Sequence, residues 1–374
     1  MSMLIEYIVP FLLILTVLVF VHEMGHFWVA RRNGVRVETF SVGFGPEIVG
    51  FTDRHGTRWK FSAIPLGGYV KMFGDAGAAS TPGAELSRMS DAERAVAFHH
   101  KRLGQRAAIV AAGPIANFLF AIIVAAILFM VAGRPFTPPE VGSVVAGSAA
   151  ERAGIQAGDR VVELDGSRIE RFEDIQRIIQ LSPGERLDAA VDRDGTVIRL
   201  SVVPDRQEET DRFGNVHVFG RLGIQRAGLE TVRLNPIEAV SAAVEHTFVT
   251  VATILKVVGQ MITGTRPADE LGGVVRIAHL SGEVTQVGLV AVVNFMIMLS
   301  INLGLINLFP IPMLDGGHLL FYAIEAVRGR PLGERAQEYG FRIGFALVIG
   351  LMLFATWNDL VYFRVVNLVK QIAS

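Results

Sequence analysis

The chain has 374 residues, of which 51% are hydrophobic and 19% charged, and its mean hydropathy is +0.43. Soluble domains carry about 25% charged residues, so this composition excludes a disordered chain and argues against a wholly soluble globule. The 35 basic and 36 acidic residues give nucleic acid no electrostatic foothold, and the absence of cysteine leaves any metal to histidines and carboxylates.

A run of about 20 apolar residues crosses a hydrocarbon core. Residues 4–30 form the first such run, with a polar cluster near its end. It lacks a basic leader and a small-residue cleavage site, so it reads as a span and not as a removable signal peptide. Stretches 35–42, 47–51, 58–64 and 69–72 are strand-like and are punctuated by glycines, Pro46 and Pro65. They predict a small hairpin sheet close to the membrane, followed by a polar, flexible connector over 75–95. A second span covers 107–132, broken by Gly113-Pro114 and carrying Asn117.

The next segment is ordinary soluble sequence. A strand at 141–145 precedes a Ser148–Gly154 turn, then Ala157-Gly158-Asp159 and, after a strand, Asp165-Gly166. A helix fits 172–181, and strands fit 186–192 and 197–203. This order resembles a bacterial PDZ domain, a module that takes extended peptides by strand addition beside a helix. The expected groove lies between 141–145 and 172–181, with Val141, Gly142, Ser143 and Val144 on its strand. Residues 237–262 are apolar at many positions but include Glu238, Glu245, His246 and Lys256, and they predict an amphipathic helix lying on the membrane or on a neighbouring domain. Spans three and four cover 289–309 and 341–354, the fourth extending toward Phe363.

Flanking charge sets orientation. Arg31, Arg32 and Arg36 follow the first span, Lys101, Arg102 and Arg106 precede the second, and Arg328, Arg330 and Arg335 separate the third and fourth. Both termini are therefore expected outside, with 31–106 and 310–340 in the cytoplasm. The predicted architecture is an α-helical polytopic membrane protein with four transmembrane helices, a membrane-associated β-hairpin loop and an inserted α+β PDZ domain. Its segments are the first span (1–32), β-rich loop and connector (33–104), second span (105–133), PDZ domain (134–206), linker with amphipathic helix (207–287), third span (288–310), a cytoplasmic segment (311–340), and the fourth span with its tail (341–374).

His22-Glu23-Met24-Gly25-His26 carries the chemistry. On a helix, positions i and i+4 share a face, so His22 and His26 can ligate one Zn²⁺ while Glu23 serves as general base. Ionisable groups inside an apolar span are costly and are functional by default. A catalytic zinc needs a third protein ligand and keeps one position for water, whose pKa falls to about 7. The third span, running outside to inside, ends in Asn307-Leu-Phe-Pro310-Ile-Pro312-Met-Leu-Asp315-Gly-Gly-His318. Its prolines and glycines break the helix and bring Asp315 to the depth of the histidines; His318, three residues on, is the rival. If 237–262 also crossed, Asp315 would emerge on the wrong face.

The His-Glu-Met-Gly-His motif, paired with Asn-x-x-Pro-x-Pro-x-Leu-Asp-Gly-Gly-His, resembles the site-2 protease family of intramembrane zinc metalloproteases. Pro65-Leu-Gly-Gly-Tyr-Val-Lys71, Gln105–Pro114 and Asn302–Pro310 look like its bacterial RseP-like branch. The resemblance implies Zn²⁺ held by His22, His26 and Asp315, with Glu23 as acid/base. It also implies a substrate-receiving β-loop containing Gly67, Gly68 and Tyr69, and substrate handling by Asn307 and Pro310. Asn117 and the Gly113-Pro114 break are expected as a polar wall beside the metal. The implied substrates are membrane-anchored proteins, either anti-sigma factors after a first external cut or remnant signal peptides, with substrate C-termini as candidate PDZ ligands. The implied setting is the bilayer of a bacterial inner membrane. Enterobacterial members carry two tandem PDZ domains; here residues 206–226 leave no room for a second. A scaffold with structural zinc would close all four metal positions with protein ligands, and a transporter would show repeated halves; the sequence offers neither.

Overall fold

A computed structural model describes residues 4–75, 89–210, 216–228, 230–264 and 271–373; most of the expected connector, residues 76–88, lies outside them. The chain divides into two compact units, one formed by Met1–Leu128 with Pro236–Ser374 and the other by Phe129–Asn235.

In the first unit a π-helical turn, Leu4–Ile8, leads into α1 (Val9–Arg32). The helix stops where the Asn33 side chain bonds back to the Val29 carbonyl at 2.8 Å and Gly34 takes φ +68°. Two long strands follow, β1 (Val37–Thr52) and β2 (Arg58–Met72). The four expected short strands are thus joined in pairs, because Gly43, Gly45 and Gly67 at positive φ bend the chain without ending its pairing. Thr39–Val42 is paired on both sides. It runs against Gly68–Lys71 on one side and is registered residue by residue with Arg58–Phe61 on the other, while Glu47–Thr52 folds back on Arg58–Ser62. The order across the sheet leaves Gly68–Met72 as an edge. Phe40 docks the sheet on α1, with its ring 5.6 Å from those of Phe20 and Phe27 and stacked on Trp59 at 4.4 Å.

After α2 (Asp91–Val96) comes α3 (Leu103–Val131), which runs against α1. Ile109 meets His26 and Asn117 meets His22. Beyond the second unit lie α6 (Pro236–Ile262), α7 (Val274–Val287), α8 (Leu289–Leu308), α9 (Asp315–Arg328) and α10 (Glu334–Ala373). Helix α8 runs alongside α1 in the same direction, with Phe295 packed on Ile14 and Leu18 at one end and Asp315 beside the histidines at the other. Helix α10 returns. His318 lies 5.4 Å from Phe341 near its start, and buried Asp359 accepts the Gly273 and Arg276 backbone N–H groups at the head of α7, both at 2.9 Å. Helix α7 itself sits at the opposite end of α1 from the histidines, where His279 stacks on Tyr7 at 4.9 Å.

Among the described residues, five helices are long and apolar enough to cross a membrane, against the four expected; the additional one is α6, the least apolar of the set. The protein is a polytopic membrane protein.

The second unit contains β3 (Arg134–Phe136), β4 (Val141–Val144), α4 (Ala149–Arg152), β5 (Arg160–Leu164), β6 (Ser167–Arg168) and α5 (Phe172–Leu181), then β7 (Leu187–Arg193) and β8 (Thr196–Val202). It closes with β9 (Asp205–Thr210), β10 (Val216–Arg221), β11 (Ile224–Arg226) and β12 (Glu230–Val232). A four-stranded sheet ordered β6-β5-β7-β8 is joined by the pairs β11-β4, β10-β9 and β12-β3. Asp165 and Gly166, both at positive φ, make the two-residue turn from β5 to β6. The face of α5 carrying Phe172, Ile175 and Ile179 closes an apolar core with Leu164, Leu187 and Val191. The unit runs past the expected end at 206 because β4 takes its partner, β11, from beyond it.

Candidate metal centre

His22 and His26 lie one turn apart on α1 and are 8% exposed, turned toward α3. What lets them pack there is a missing side chain. A Cβ on Gly113 would stand 2.6 Å from His26 Cε1 and 2.9 Å from His22 Cε1. Gly25, between the histidines, meets the Ala112 carbonyl in the same way, with the Ala116 methyl 2.8 Å from where its Cβ would stand. Without hydrophobic drive between helices in lipid, such close backbone approach is how they associate. His26 Nδ1 is fixed on the Ile109 carbonyl at 2.9 Å, and His22 Nδ1 lies 3.1 Å from Asn117 Nδ2.

Asp315 reaches the histidines through the broken end of α8. The chain turns at Phe309, passes Pro310 and Pro312, takes φ +90° at Met313, and restarts as α9 with Leu314 as an extended N-cap. Gly316 and Gly317 press against the backbone of Leu308, Phe309, Ile311 and Pro312, where no Cβ fits. Those glycines hold Asp315 at the level of α1.

The resulting triangle is nearly regular. His22 Nε2 and His26 Nε2 are 3.2 Å apart, and Asp315 Oδ2 lies 3.2 Å and 3.5 Å from them. Ligands about 2.0–2.1 Å from a tetrahedral zinc stand roughly 3.3–3.4 Å from each other. Asp315 Oδ2 is buried without a hydrogen-bond donor, so a cation supplies the partner it lacks. The donor set therefore fits zinc, and it is the group of metal-competent side chains found among the described residues.

A cavity of about 190 Å³ opens onto this triangle, lined by the three residues together with Glu23, Gly68, Tyr69, Val70, Asn307 and His318, among others. Glu23 adjoins the sheet edge: a Cβ on Gly68 would stand 3.2 Å from Glu23 Cγ and 2.9 Å from Val19 Cγ1. Of the expected substrate residues, Asn307, Gly68 and Tyr69 reach the cavity. Gly67 and Pro310 do not line it; Gly67 at φ +109° turns the strand against the Phe44 ring, and Pro310 belongs to the turn. His318 lines the cavity but stands outside the triangle.

In the second unit a cavity of about 470 Å³ lies beside α5, lined by Phe172, Ile175, Ile179, Phe219, Leu222 and Ile224, among others. Val145 borders it; Val141, Gly142, Ser143 and Val144 do not. The strand against α5 is β10, where Gly220 meets the Ile179 backbone, and the expected strand β4 pairs instead with β11. Sequence reasoning also missed Gly25 and Gly304, whose close approaches to α3 help build the metal site. The small-residue spacing of Gly25, Ala112, Gly113 and Ala116 was the available signal.

Residues 10–351 match peptidase family M50, and the chain belongs to that family, the site-2 proteases. A protein of Agrobacterium fabrum bearing the name zinc metalloprotease is 50% identical over 359 residues, 95% of each chain. The metalloprotease MmpA of Caulobacter vibrioides is 40% identical over 377 residues, covering 94% of this chain and 95% of its own. Among solved structures, the PDZ domain of an SdrC-like protein from Listeria innocua aligns with 25% of this chain and 99% of its own at 18% identity and a TM-score of 0.20. The protein is a membrane metalloprotease that uses zinc.

Proposed function

We propose that His22, His26 and Asp315 hold the catalytic zinc, that Glu23 is the acid/base, and that the enzyme cleaves peptide bonds within or near transmembrane segments of membrane-anchored proteins. The observation that carries this reading is the 3.2–3.5 Å triangle of Nε2, Nε2 and Oδ2 atoms with Glu23 beside it. When bound, zinc supplies a Lewis acid that polarises the scissile carbonyl and lowers the pKa of water. Glu23, next to His22 on α1 and facing the cavity, takes the proton from the attacking water and returns it to the leaving amine. Asn307, which lines the same cavity, offers an amide to the substrate carbonyl.

A substrate helix in lipid hides its carbonyls in its own hydrogen bonds. The sheet edge Gly68–Met72 borders the cavity and would pair its remaining backbone groups with an unwound segment, with main-chain bonding in place of side-chain recognition. A substrate methylated on the backbone nitrogens around its scissile bond loses those bonds. It is expected to be cleaved at least about 10-fold more slowly, as two or more hydrogen bonds of ~1 kcal/mol each go unmade. Equal turnover of methylated and unmethylated substrate sinks the edge-pairing reading.

Four crossings suit this site. Helix α3 ends and α8 begins at the end of the bundle away from the histidines, so the chain between them crosses an even number of times. Helix α7, at 14 residues, is too short to serve as a return span for α6. The charge pattern then puts both termini and the second unit outside and the metal toward the cytoplasm, in a bacterial inner membrane. The element order of Phe129–Asn235 supports a single PDZ domain, whose groove beside α5 would take the C-terminus of a substrate. Anti-sigma factors already cut outside the membrane and remnant signal peptides are the substrate classes the family resemblance suggests.

The test is Glu23→Gln in full-length, zinc-loaded protein with a membrane-anchored substrate. Cleavage is expected to fall about 10²–10⁴-fold while zinc content stays at one per chain. Persistent cleavage refutes the base assignment, and loss of zinc refutes the division of labour.

A further inference from the structure

Asn117 is fully buried on α3, and its polar atoms are unequally used. Its main-chain carbonyl accepts from Ser300 Oγ at 2.8 Å. Its side-chain Nδ2 faces His22 Nδ1 at 3.1 Å, and its Oδ1 is buried with no donor. An unsatisfied buried acceptor is destabilising, so this oxygen calls for a reason.

The two histidines differ in what holds them. His26 Nδ1 meets a backbone carbonyl, which can only accept, so its proton sits on Nδ1 and its Nε2 lone pair is free. His22 Nδ1 meets an amide, which can either donate or accept. The His22 ring presents Nε2 to the triangle, 3.2 Å from Asp315 Oδ2, and leaves Nδ1 to the Asn117 amide, which carries an acceptor for Nδ1–H as well as a donor.

We infer that Asn117 is the positioning residue for His22, its buried amide holding the ring at Nδ1 so that Nε2 stays turned to the metal position. The inference rests on His22 being a zinc ligand, as proposed above. His26 is then held for metal by the Ile109 carbonyl, and His22 by the Asn117 amide. Hydrogen-bond partners behind a ligating histidine are worth about 10–100-fold in metal affinity.

The experiment measures zinc affinity of the full-length protein in detergent by competition with a chromogenic chelator, with the visible bands of the Co²⁺-loaded protein as a second readout. Asn117→Ala is expected to weaken zinc binding about 10–100-fold and to shift the Co²⁺ bands. Asn117→Asp keeps an acceptor for Nδ1–H and is expected to stay within a few-fold of the unaltered protein, with its Co²⁺ bands in place. Ser300→Ala removes the contact on the far side of Asn117 and is expected to change neither readout.

Unchanged affinity in Asn117→Ala overturns the inference. So does an Asn117→Asp protein that loses as much as Asn117→Ala, or a Ser300→Ala protein that loses as much, because packing then accounts for the effect. If Asn117→Ala does not fold, Asn117→Asp decides alone: retained affinity and bands support the inference, and loss of either overturns it. His22→Ala separates the two levels. If it binds zinc as tightly as the unaltered protein, the ligand assignment itself falls. If it loses zinc while Asn117→Ala keeps it, only the role of Asn117 falls.

Discussion

Phe129–Asn235 is held by side chains meeting side chains, with Leu164, Ile175, Leu187 and Val191 almost wholly buried in a continuous core. The bundle around His22 and His26 is held where side chains are missing, at Gly25, Gly113, Gly304, Gly316, Gly317 and Gly344, each with no room for a Cβ or only a tight fit. The difference follows from solvent. Water drives apolar side chains of the second unit together, whereas lipid gives helices no such drive and leaves close backbone contact and hydrogen bonds to join them. Function follows the same division: the glycines that tighten the bundle are the ones that seat the metal ligands.

Three changes bear on that contrast. Gly113→Ala has the largest expected effect, because its methyl would occupy the space of the His26 ring. Zinc affinity, read by chelator competition, should fall by 10-fold or more, since misplaced ligands cost at least as much as a lost partner behind them. Retained affinity would mean that α3 yields easily and the contrast is overdrawn. Leu164→Ala should cost about 2–5 kcal/mol in the second unit, measured by hydrogen exchange of the β5 and β7 amides, with zinc affinity unchanged. An equal loss of zinc would show that the two units do not respond separately.

The smallest effect is one of pH. Burial pushes the Asp159 carboxyl up, but hydrogen bonds from the Arg193 guanidinium at 2.6 and 2.7 Å and from the Gln156 N–H at 2.8 Å outweigh it and hold it below the ordinary aspartate range. A depressed carboxylate contributes stability that is whole above its unfolded value, about 3.9, and is lost as pH falls through the folded value. Exchange protection in the second unit should therefore decline below about pH 4, and Asp159→Asn should remove that decline. A decline of the same size in both proteins would assign it elsewhere.

Much of this was legible in linear order. The i, i+4 spacing of His22 and His26 needs only helix geometry, and the Asp165-Gly166 hairpin turn follows from two residues that tolerate positive φ. Asp315 could be argued from depth, because the third span delivers it to the cytoplasmic end. The contact of Asn117 with His22 was beyond reach, since which face of α3 turns inward depends on where Gly25 and Gly113 let the backbones meet. The strand beside α5 was misplaced for a related reason: β10 (Val216–Arg221) comes from beyond the expected end of the domain, and only packing brings it to α5.

The sequence by itself determined the apolar helices, the pair of histidines with their neighbouring glutamate, and the motif that ends α8, because each is a local pattern of spacing and hydropathy. Tertiary structure decided the 3.2–3.5 Å triangle, the sheet edge at the cavity and the placement of Asn117 behind His22. Those rest on contacts between residues as far apart in sequence as His22 and Asp315, where only the packing of one backbone against another selects the partner.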